Sequence, residues 1–519
     1  MKNILIAIRS IFKKGRHNVM KIVSLGIGLA VGLVLIAKVY FEQSYDDFYP
    51  DRDRVYQVWA KYQQNGGELK DYPQTSGGIA PTMQQQIPEI ETVTRYTSFG
   101  DWTFTMTDTK MKYSGRCIIA DSCFFDILPR PMLIGNAKEV LSTPMYVLVS
   151  SRIAKNIGGD VIGKNFTVDS SPGRTMTIGG VFEEVPENSH SRYDVIVSMA
   201  SAGRFMWEGS PTNMLGNDRY ISYVKLHKGV NPLALEEQVH TFVNSYFPPE
   251  EQQKTGFNIG FSFHELDGLH KELPQVKRMT WILSLLAFAL IFTAVMNYIL
   301  IVISSIVNRS KEVAVHKCYG ASENNIHGMM FGEALVHIVL SLILALLLIL
   351  AFRGTVEELL ATSLDSLLLS NGSLVLLGIC ILVFFVSGFM PGSLYARIPV
   401  ASAFRNYREN KRIWKKALLL VQFVATGFLV TMLVFVARQY TFMVNDRPGY
   451  AYENLAYCGL AGVDSTSRAK ILDEVMRLPG VVAATTVYQL PFEHASGNNI
   501  LLPGETQELF NIADLRSEE

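Results

Sequence analysis

Cysteine and net charge are both scarce in this sequence. The 519 residues include five cysteines, and 47 basic side chains balance 47 acidic ones to a formal net charge of zero. This odd, small number of cysteines gives no multi-disulfide framework. Cys117 and Cys123 could form one bridge, and two ordinary half-buried thiols are the alternative. A neutral chain also gives no support for nucleic-acid binding, which depends on an excess of positive charge.

Recognisable catalytic motifs are also missing. Residues 158–164 have the glycine and lysine spacing of a phosphate-binding loop, but Asn165 stands where the Mg²⁺-binding hydroxyl is required. We therefore expect a glycine-rich turn before a strand at Asn165–Val168. His264 begins a zinc-protease motif, but Gly268 replaces the second histidine. No G-x-S-x-G nucleophile motif occurs either, so we predict no enzyme activity, no cofactor and no metal site.

Long apolar runs, in contrast, are abundant. Hydrophobic residues make up 49% of the chain and the mean hydropathy is +0.19, which is unusual for a soluble domain. Five runs reach the ~20 residues that a helix needs to cross a bilayer. No acidic residue lies in the middle of any of them, which argues against a proton-relay transporter. The predicted spans are 19–41, 279–307, 334–352, 373–396 and 417–436.

Residues 42–278 differ from the spans because they are polar and mixed in pattern. Alternating segments such as Tyr56–Tyr62 and Thr175–Phe182 predict strands, and Ser151–Ile157 predicts a helix. The length is ample for one or two α+β subdomains with their own core. The predicted fold is therefore an α-helical membrane bundle of five helices, with an α+β domain between the first and the second.

Basic residues mark one side of the membrane. Residues 1–18 form a basic amphipathic pattern that is expected to lie on the surface of the membrane lipids. Lysine and arginine recur at 308–333 and 397–416, whereas 353–372 carries one arginine against three acidic residues. The positive-inside rule therefore predicts a cytoplasmic N-terminus. The segments predicted on the outer side are 42–278, 353–372 and 437–519.

Two features of the first span concern its surroundings. Gly28 and Gly32 are four residues apart, a spacing that lets a second helix approach closely, although flexible filler explains two glycines equally well. Lys38 lies near the end of the span, and we expect its amine to extend to the membrane surface. The first span is therefore a candidate for close contact with another helix.

A pattern of helix, turn and strand occurs twice. It leads into Ile87–Thr94 after the first span, and residues 470–485 repeat it after the last span. A second unit of span and outer domain is therefore predicted to begin near Arg412. Residues 437–519 would be its incomplete outer domain, either as part of a longer two-unit protein or as a vestige.

The polar stretch 308–333 stands out because it separates two of the longest apolar runs. It is long enough for a helix of its own, and Gly320 can break that helix at a position that needs positive φ. Arg309, Lys311 and Lys317 make it basic. Since catalytic motifs are missing elsewhere, this stretch is the main candidate for contact with a partner.

Several residues of this stretch form a recognisable pattern. They are Glu312, Lys317, Gly320, Ala321, Ser322, Glu333 and Ala334. Together they resemble the signature of FtsX/MacB-type ABC transporter permeases, roughly E-I-G-I-R-K-A-x-G-A-S and then F-x-x-E-A. The sequence departs from it at Ala314 and His316, where the family usually has glycine and arginine. Segments 44–48, 120–125 and 179–190 are similar to a MacB-like periplasmic core domain.

The resemblance implies a permease subunit of the cytoplasmic (inner) membrane, energised by a separate cytoplasmic ABC ATPase. The first two spans would pass motion to the periplasmic domain, for export, extraction or signalling. The sequence looks closest to Bacteroidetes-style permeases that fuse two such units, here truncated in the second. A second permease copy and a periplasmic or outer-membrane protein are further partners that the resemblance allows. The implied ATPase-coupling residues are Arg309, Lys311, Glu312, His316, Lys317, Gly320, Ala321, Ser322 and Glu333.

A second hypothesis is a membrane-anchored periplasmic sensor or scaffold that works without ATP. A third, an outer-face hydrolase, is disfavoured because nucleophile and metal motifs are missing. Co-purification of an ATPase would discriminate between the first two. For Lys311 a solvated or lipid-headgroup role is the simpler interpretation, whereas the motif match favours a coupling role for Glu312 and Lys317.

Overall fold

The computed structural model describes residues 17–64, 66–169, 171–216, 218–369, 372–396, 400, 413–445, 454–460, 463, 465–487, 496–500 and 508–512. The predicted amphipathic helix at 1–18 and the basic loop at 397–416 lie almost wholly outside these residues. The described part contains a helical membrane bundle, a sheet-rich outer domain and a short C-terminal portion.

Five long apolar helices form the membrane part, which confirms the predicted bundle. Two of them begin earlier than the apolar runs, at Pro274 and Glu323, because polar residues continue the helical hydrogen bonding beyond the apolar stretch. The predicted loop 308–333 is therefore largely helical. The five helices are α1 (Asn18–Gln43), α9 (Pro274–Ser304), α11 (Glu323–Ala351), α14 (Ser373–Ala396) and α15 (Ile413–Asn445).

Helix α1 packs between α9 and α11. A methyl group added at Gly28 would lie 2.2 Å from the Ala294 Cβ, and one added at Gly32 would lie 2.4 Å from Ile291. The two glycines therefore allow α1 and α9 to approach more closely than larger residues would. Buried residues of all three helices form the core, among them Leu25, Leu29, Ile299, Ile303, Ile338 and Ala345.

The outer domain is built on one mixed sheet of eleven strands in the order β11-β1-β10-β3-β4-β9-β6-β8-β5, with β2 beside β1 and β7 between β3 and β8. The β4–β9 and β6–β8 pairs are parallel, and the other pairs are antiparallel. The strands are β1 (Val55–Gln64), β2 (Lys70–Tyr72), β3 (Ile90–Met106), β4 (Lys112–Ala120), β5 (Met132–Ile134), β6 (Tyr146–Ser150), β7 (Asn165–Val168), β8 (Ser171–Phe182), β9 (Val195–Ser198), β10 (Ile221–Leu226) and β11 (Phe257–Glu265).

Short helices cover the sheet and connect the spans. The strand predicted at Asn165–Val168 and the helix predicted at Ser151–Ile157 are both confirmed with those bounds. The remaining helices are α2 (Ile79–Gln86), α3 (Phe124–Ile127), α4 (Ala137–Ser142), α5 (Ser151–Ile157), α6 (Ala202–Phe205), α7 (Glu236–Tyr246), α8 (Pro249–Thr255), α10 (Ile306–Cys318), α12 (Arg353–Leu360), α13 (Leu364–Leu368) and α16 (Ser465–Met476).

The two cysteines considered for a bridge are free thiols. Cys117 lies in the apolar core of the outer domain, where burial raises the pKa of its thiol well above the usual range. The Cys123 thiol instead donates to the Val93 carbonyl oxygen over 3.1 Å. The disulfide alternative is therefore wrong, and the half-buried-thiol alternative holds for Cys123, while Cys117 is fully buried.

The portion after α15 repeats the predicted pattern only in part. Helix α16 leads to a turn at Gly480, which has φ +95°. The strand that the sequence predicts at the end of 470–485 is not formed. The two strands described further on, β12 (Ser496–Ile500) and β13 (Glu508–Ile512), pair with each other.

Candidate coupling site

The polar stretch between the second and third spans folds as a helix, a tight turn and the start of another helix. Helix α10 follows α9 after a break at Ser305, whose hydroxyl donates to the Val302 carbonyl oxygen over 2.5 Å. The helix ends at Cys318, and α11 begins at Glu323. The candidate coupling residues therefore lie on two helices and on the turn between them.

Backbone geometry explains the three small residues of the turn. The Ala321 amide donates to the His316 carbonyl oxygen and the Gly320 amide to that of Lys317, each over 3.0 Å. These two bonds form a Schellman motif, in which Gly320 has φ +86°. The Ser322 hydroxyl then caps α11 by accepting from the Asn325 amide over 3.4 Å. Gly320, Ala321 and Ser322 thus end one helix and start the next.

Helix α10 has one buried face and one exposed face. Ser310, Val313 and Ala314 are at most 2% exposed, and the two apolar residues pack in the bundle core. Ala314, one of the two departures from the family signature, therefore adds a methyl group to packed core. This spacing of three and four residues is that of an amphipathic helix.

The opposite face of α10 is open. Lys311, Val315 and His316 are exposed, and Tyr319 just beyond the helix is 89% exposed. Glu312 and Lys317 lie at the border between the faces and are half-buried. Arg309 lies in α10, but its side chain is outside the described part of the structure. A basic surface with two apolar side chains is thus presented on one side of the bundle.

Glu333 does not belong to that surface. It is 6% exposed, and its Oε1 lies 3.6 Å from Lys21 Nζ on α1, which is itself 1% exposed. The Lys21 amine also donates to Asn18 Oδ1 over 3.2 Å. Helix α11 begins eleven residues before the apolar run and carries Glu333, which the sequence predicts at the end of the coupling loop, into the bundle. Its role in ATPase coupling stays a prediction.

Two further polar residues follow Glu333 at intervals of four along α11. A hydrogen bond of 3.1 Å joins His337 Nδ1 and the Tyr298 hydroxyl on α9. The Ser341 hydroxyl donates to the Ile22 carbonyl oxygen on α1, also over 3.1 Å. Residues four apart share one helix face, so this buried stripe connects α11 to both α1 and α9. The sequence signal that could have revealed it is the spacing of four within an apolar run.

A second buried polar network lies where α1 enters the outer domain. Asp46 accepts a hydrogen bond from the Ser189 hydroxyl over 2.9 Å, and its Oδ2 lies 2.7 Å from His190 Nδ1. Asn188 Nδ2 donates to the Ser44 carbonyl oxygen over 2.6 Å. The segments 44–48 and 179–190, which resemble the family separately, therefore meet at one junction.

This junction is built for structure rather than for nucleophilic chemistry. Ser191 Oγ lies 3.0 Å from His190 Nε2, but it is also 2.7 Å from the Tyr96 hydroxyl, and Ser191 is 3% exposed. Burial raises the pKa of Tyr96 to about 12, so this phenol keeps its proton. Within the described residues, no group of three or more His, Cys, Asp or Glu side chains is placed to hold a metal ion.

Two family models match the chain, one on each side of its main division. The MacB-like periplasmic core domain matches residues 20–242, and the FtsX-like permease C-terminal domain matches residues 284–400. Together they cover about two thirds of the chain and include most of the outer domain and the α10–α11 turn. The chain belongs to the FtsX/MacB-type ABC transporter permeases. It is therefore a multi-pass transport subunit of the inner membrane rather than an enzyme by itself.

Two solved structures with similarity to this permease are domains of other proteins. A domain described as part of a permease protein from Porphyromonas gingivalis is 32% identical, with 42% of this chain and 91% of that chain covered and a TM-score of 0.39. The extracellular domain of the noncanonic ABC-type transporter YknZ from Gram-positive bacteria is 10% identical, with 40% and 98% covered and a TM-score of 0.28. No curated protein matches the chain.

Proposed function

We propose that this permease couples ATP hydrolysis by a separate cytoplasmic ABC ATPase to movement of its outer domain, for export, extraction or signalling. In this proposal the N-terminus and the α10–α11 turn are cytoplasmic, and residues 42–278 lie in the periplasm. The observation that carries it is the division of α10 into a face packed in the bundle and a face open to a partner.

The open face is suited to a protein partner. Val315 and Tyr319 are 43% and 89% exposed and four residues apart, so they present a small apolar ridge. Lys311 and His316 beside them can contact acidic or polar groups. A large exposed aromatic residue surrounded by charged side chains is typical of a residue that dominates a protein interface. We assign this ridge to the ATPase contact.

The packed face would make the contact mechanically effective. Val313 and Ala314 fix α10 to the core, and the buried Lys21–Glu333 and Tyr298–His337 contacts connect α11 with α1 and α9. A displacement of α10 is then passed to the two helices that lead into the outer domain. Packed interiors transmit such displacements because they are close to incompressible.

The direct test is recovery of the ATPase subunit with the full-length permease from detergent-solubilised membranes. Gly320→Pro should abolish recovery, since proline cannot adopt the observed φ of +86° and the turn would be lost. Tyr319→Ala should reduce recovery without changing the fold. The matched control is Gly229→Pro, which alters a glycine with φ +82° in the outer domain and should leave recovery unchanged.

Equal recovery by Gly320→Pro and Gly229→Pro would refute α10 as the docking element. If the wild-type permease recovers no ATPase, the hypothesis of a membrane-anchored sensor or scaffold without ATP coupling takes precedence. A second permease copy or a periplasmic or outer-membrane protein that co-purifies would identify the further partners.

A further inference from the structure

Four side chains from three parts of the chain meet where α1 and α9 connect to the outer domain. Lys38 Nζ lies 2.6 Å from Glu42 Oε1, one turn further along α1. His270 Nε2, shortly before α9 begins, lies 2.6 Å from Glu42 Oε2. The Lys38 amine also donates to Thr362 Oγ1 over 2.8 Å, in the connection between α12 and α13. We call Lys38, Glu42, His270 and Thr362 the membrane-exit cluster.

The cluster is shielded from water. Lys38 and Glu42 are 8% and 5% exposed, so the Lys38 amine, which the sequence predicts at the membrane surface, is enclosed by protein. The Tyr45 ring stacks on His270 with centroids 3.5 Å apart. Each carboxylate oxygen of Glu42 has its own partner, which is what a buried carboxylate needs in order to stay charged. Such contacts are far less screened than surface ion pairs.

The cluster closes a large loop of the chain. Glu42 and His270 are 228 residues apart and stand at the two ends of the outer domain. Nearby, Gln43 Nε2 donates to Thr280 Oγ1 over 3.5 Å, which adds a second contact between α1 and α9. The Ser363 amide, next to Thr362, donates to Glu187 Oε2 of the outer domain over 2.9 Å. Two chain segments connect the helical bundle to the outer domain, one after α1 and one before α9. These contacts hold the two segments together at the membrane exit.

We infer that the membrane-exit cluster fastens the outer ends of α1 and α9 to each other, so that the two helices move the outer domain as one body. The inference rests on the proposed function. Gly28 and Gly32 hold the helices together deeper in the bundle, but they do not constrain the ends. Without the cluster the outer ends of α1 and α9 would move apart. The residues between these helices and the outer domain would then bend, and the outer domain would not move. Lys38, Glu42 and His270 are therefore positioning residues for force transmission.

The variant that isolates this role is His270→Ala. It removes the contact between α1 and the start of α9 but leaves the buried Lys38–Glu42 pair intact, so the bundle should still fold. The matched control is Lys277→Ala, because Lys277 pairs with Glu272 of its own segment and contacts neither α1 nor residues 44–47 in the structure described. All experiments use the full chain in lipid nanodiscs, with Cys318 and Cys458 replaced by serine.

The first measurement needs no ATPase. Spin labels at positions 43 and 280 report the separation of the two helix ends. The distance distribution should broaden in His270→Ala and stay as in the wild type in Lys277→Ala. An unchanged distribution in His270→Ala would overturn the fastening role, whatever the permease is coupled to.

The second measurement adds the ATPase subunit and Mg²⁺-ATP. Labels at positions 254 and 382 report movement of the outer domain relative to α14. His270→Ala should retain ATPase binding and ATP hydrolysis but lose the nucleotide-dependent change in distance. A short cross-link between cysteines introduced at positions 43 and 280 should restore that change. Failure of the cross-link to restore it, or a wild-type-like change in His270→Ala, overturns the inference.

The two measurements separate failure of the inference from failure of the proposed function. A wild-type complex that shows no nucleotide-dependent change refutes the proposed function, and transmission by the cluster with it. The broadening seen without ATPase then still decides whether the cluster fastens the helix ends.

Discussion

Helix α1 precedes the outer domain and α15 precedes the C-terminal portion, and the apolar windows of the two helices have the same mean hydropathy. Yet 44% of the residues in the α1 window are buried, compared with 6% in α15. Helix α1 packs on α9 and α11, whereas α15 contacts α9, where Gln422 Nε2 donates to Asn297 Oδ1 over 3.0 Å. Hydropathy therefore identifies a span, but small residues and buried charges decide whether the span packs.

The segments that follow α1 and α15 show the same contrast. After α1, helix α2 and a turn lead into β3, which pairs with both β10 and β4. After α15, helix α16 and the turn at Gly480 lead into residues 481–487, where Val482 is 96% exposed. No strand among the described residues pairs with them. The backbone N–H and C=O groups of a strand need hydrogen-bond partners on a neighbouring strand. The same local sequence pattern therefore gives a strand after α2 and none after α16.

The largest expected difference between the helices concerns buried charge. Glu333→Ala removes the carboxylate that lies 3.6 Å from the buried Lys21 amine, and we expect a loss of about 3–5 kcal/mol in the free energy of unfolding. Glu323→Ala, at the exposed start of the same helix, should change it by less than about 0.5 kcal/mol. Denaturation of the detergent-solubilised chain measures both. Equal stability of the two variants would show that the α1–α11 contact does not depend on the pair.

The next largest effect is a pH-dependent loss of stability, which we expect from the outer domain and not from the C-terminal portion. Burial raises the pKa of Tyr96 to about 12, whereas an unfolded phenol ionises near pH 10. The folded state therefore holds this proton more tightly, so its stabilisation is complete below pH 10 and is lost as pH rises towards 12. The loss should be on the order of 3 kcal/mol.

The measurement is stability of the full chain as a function of pH between 8 and 12. Tyr96→Phe should flatten the decline above about pH 10. Tyr457→Phe, a change at a 68% exposed tyrosine after α15, should leave the curve unchanged. Identical curves for the wild type and Tyr96→Phe would contradict the expectation that burial of Tyr96 makes the stability of the outer domain depend on pH.

A glycine substitution compares the packing of the helices directly. Gly28→Leu places a side chain where even a methyl group would lie 2.2 Å from the Ala294 Cβ, and overpacking of this kind costs about 1–3 kcal/mol. The matched change in α15 is Gly427→Leu, where no atom lies within 4 Å of the added carbon in the structure described. We expect no measurable change in thermal unfolding for that variant. A destabilised Gly427→Leu protein would mean that α15 is packed after all.

The smallest effect concerns the contact of α15 with α9. Gln422→Leu removes one hydrogen bond between helices, which is worth about 0.6 kcal/mol within a membrane. A double-mutant cycle with Asn297→Leu isolates this coupling from changes in apolar surface. A coupling energy as large as that of the Lys21–Glu333 pair would contradict the comparison between the two helices.

Much of the fold could be predicted because its signals are local. Apolar runs mark the five spans, and alternation and glycine-rich turns mark elements such as β7 and α5. The Gly320-Ala321-Ser322 turn is also a local signal, since a Schellman motif and a helix cap involve only neighbouring residues. The turn between α10 and α11 could therefore be predicted from the sequence, whereas its contact with an ATPase stays a prediction.

The sequence-based expectations that the structure corrects involve contacts between residues far apart in the chain. Glu333 lies in the stretch predicted as a polar loop, yet Lys21 on α1 pairs with it inside the bundle. His337 lies within a predicted span, yet its ring is hydrogen-bonded to Tyr298 on α9. Lys38 was expected to extend to the membrane surface, but Glu42 and Thr362 hold it inside. In each case one partner lies on another helix or loop, such as Thr362 for Lys38, and hydropathy calculated along one segment does not include it.

The sequence by itself determined the number of spans, the α+β class of the outer domain and the family, because each depends on composition or spacing within a short segment. Tertiary structure decided which charges are buried, which cysteines stay unpaired, which face of α10 is open and how α1 is tied to α9. Those outcomes depend on pairs such as Glu42 and His270, 228 residues apart, whose interaction exists only once the outer domain between them has folded.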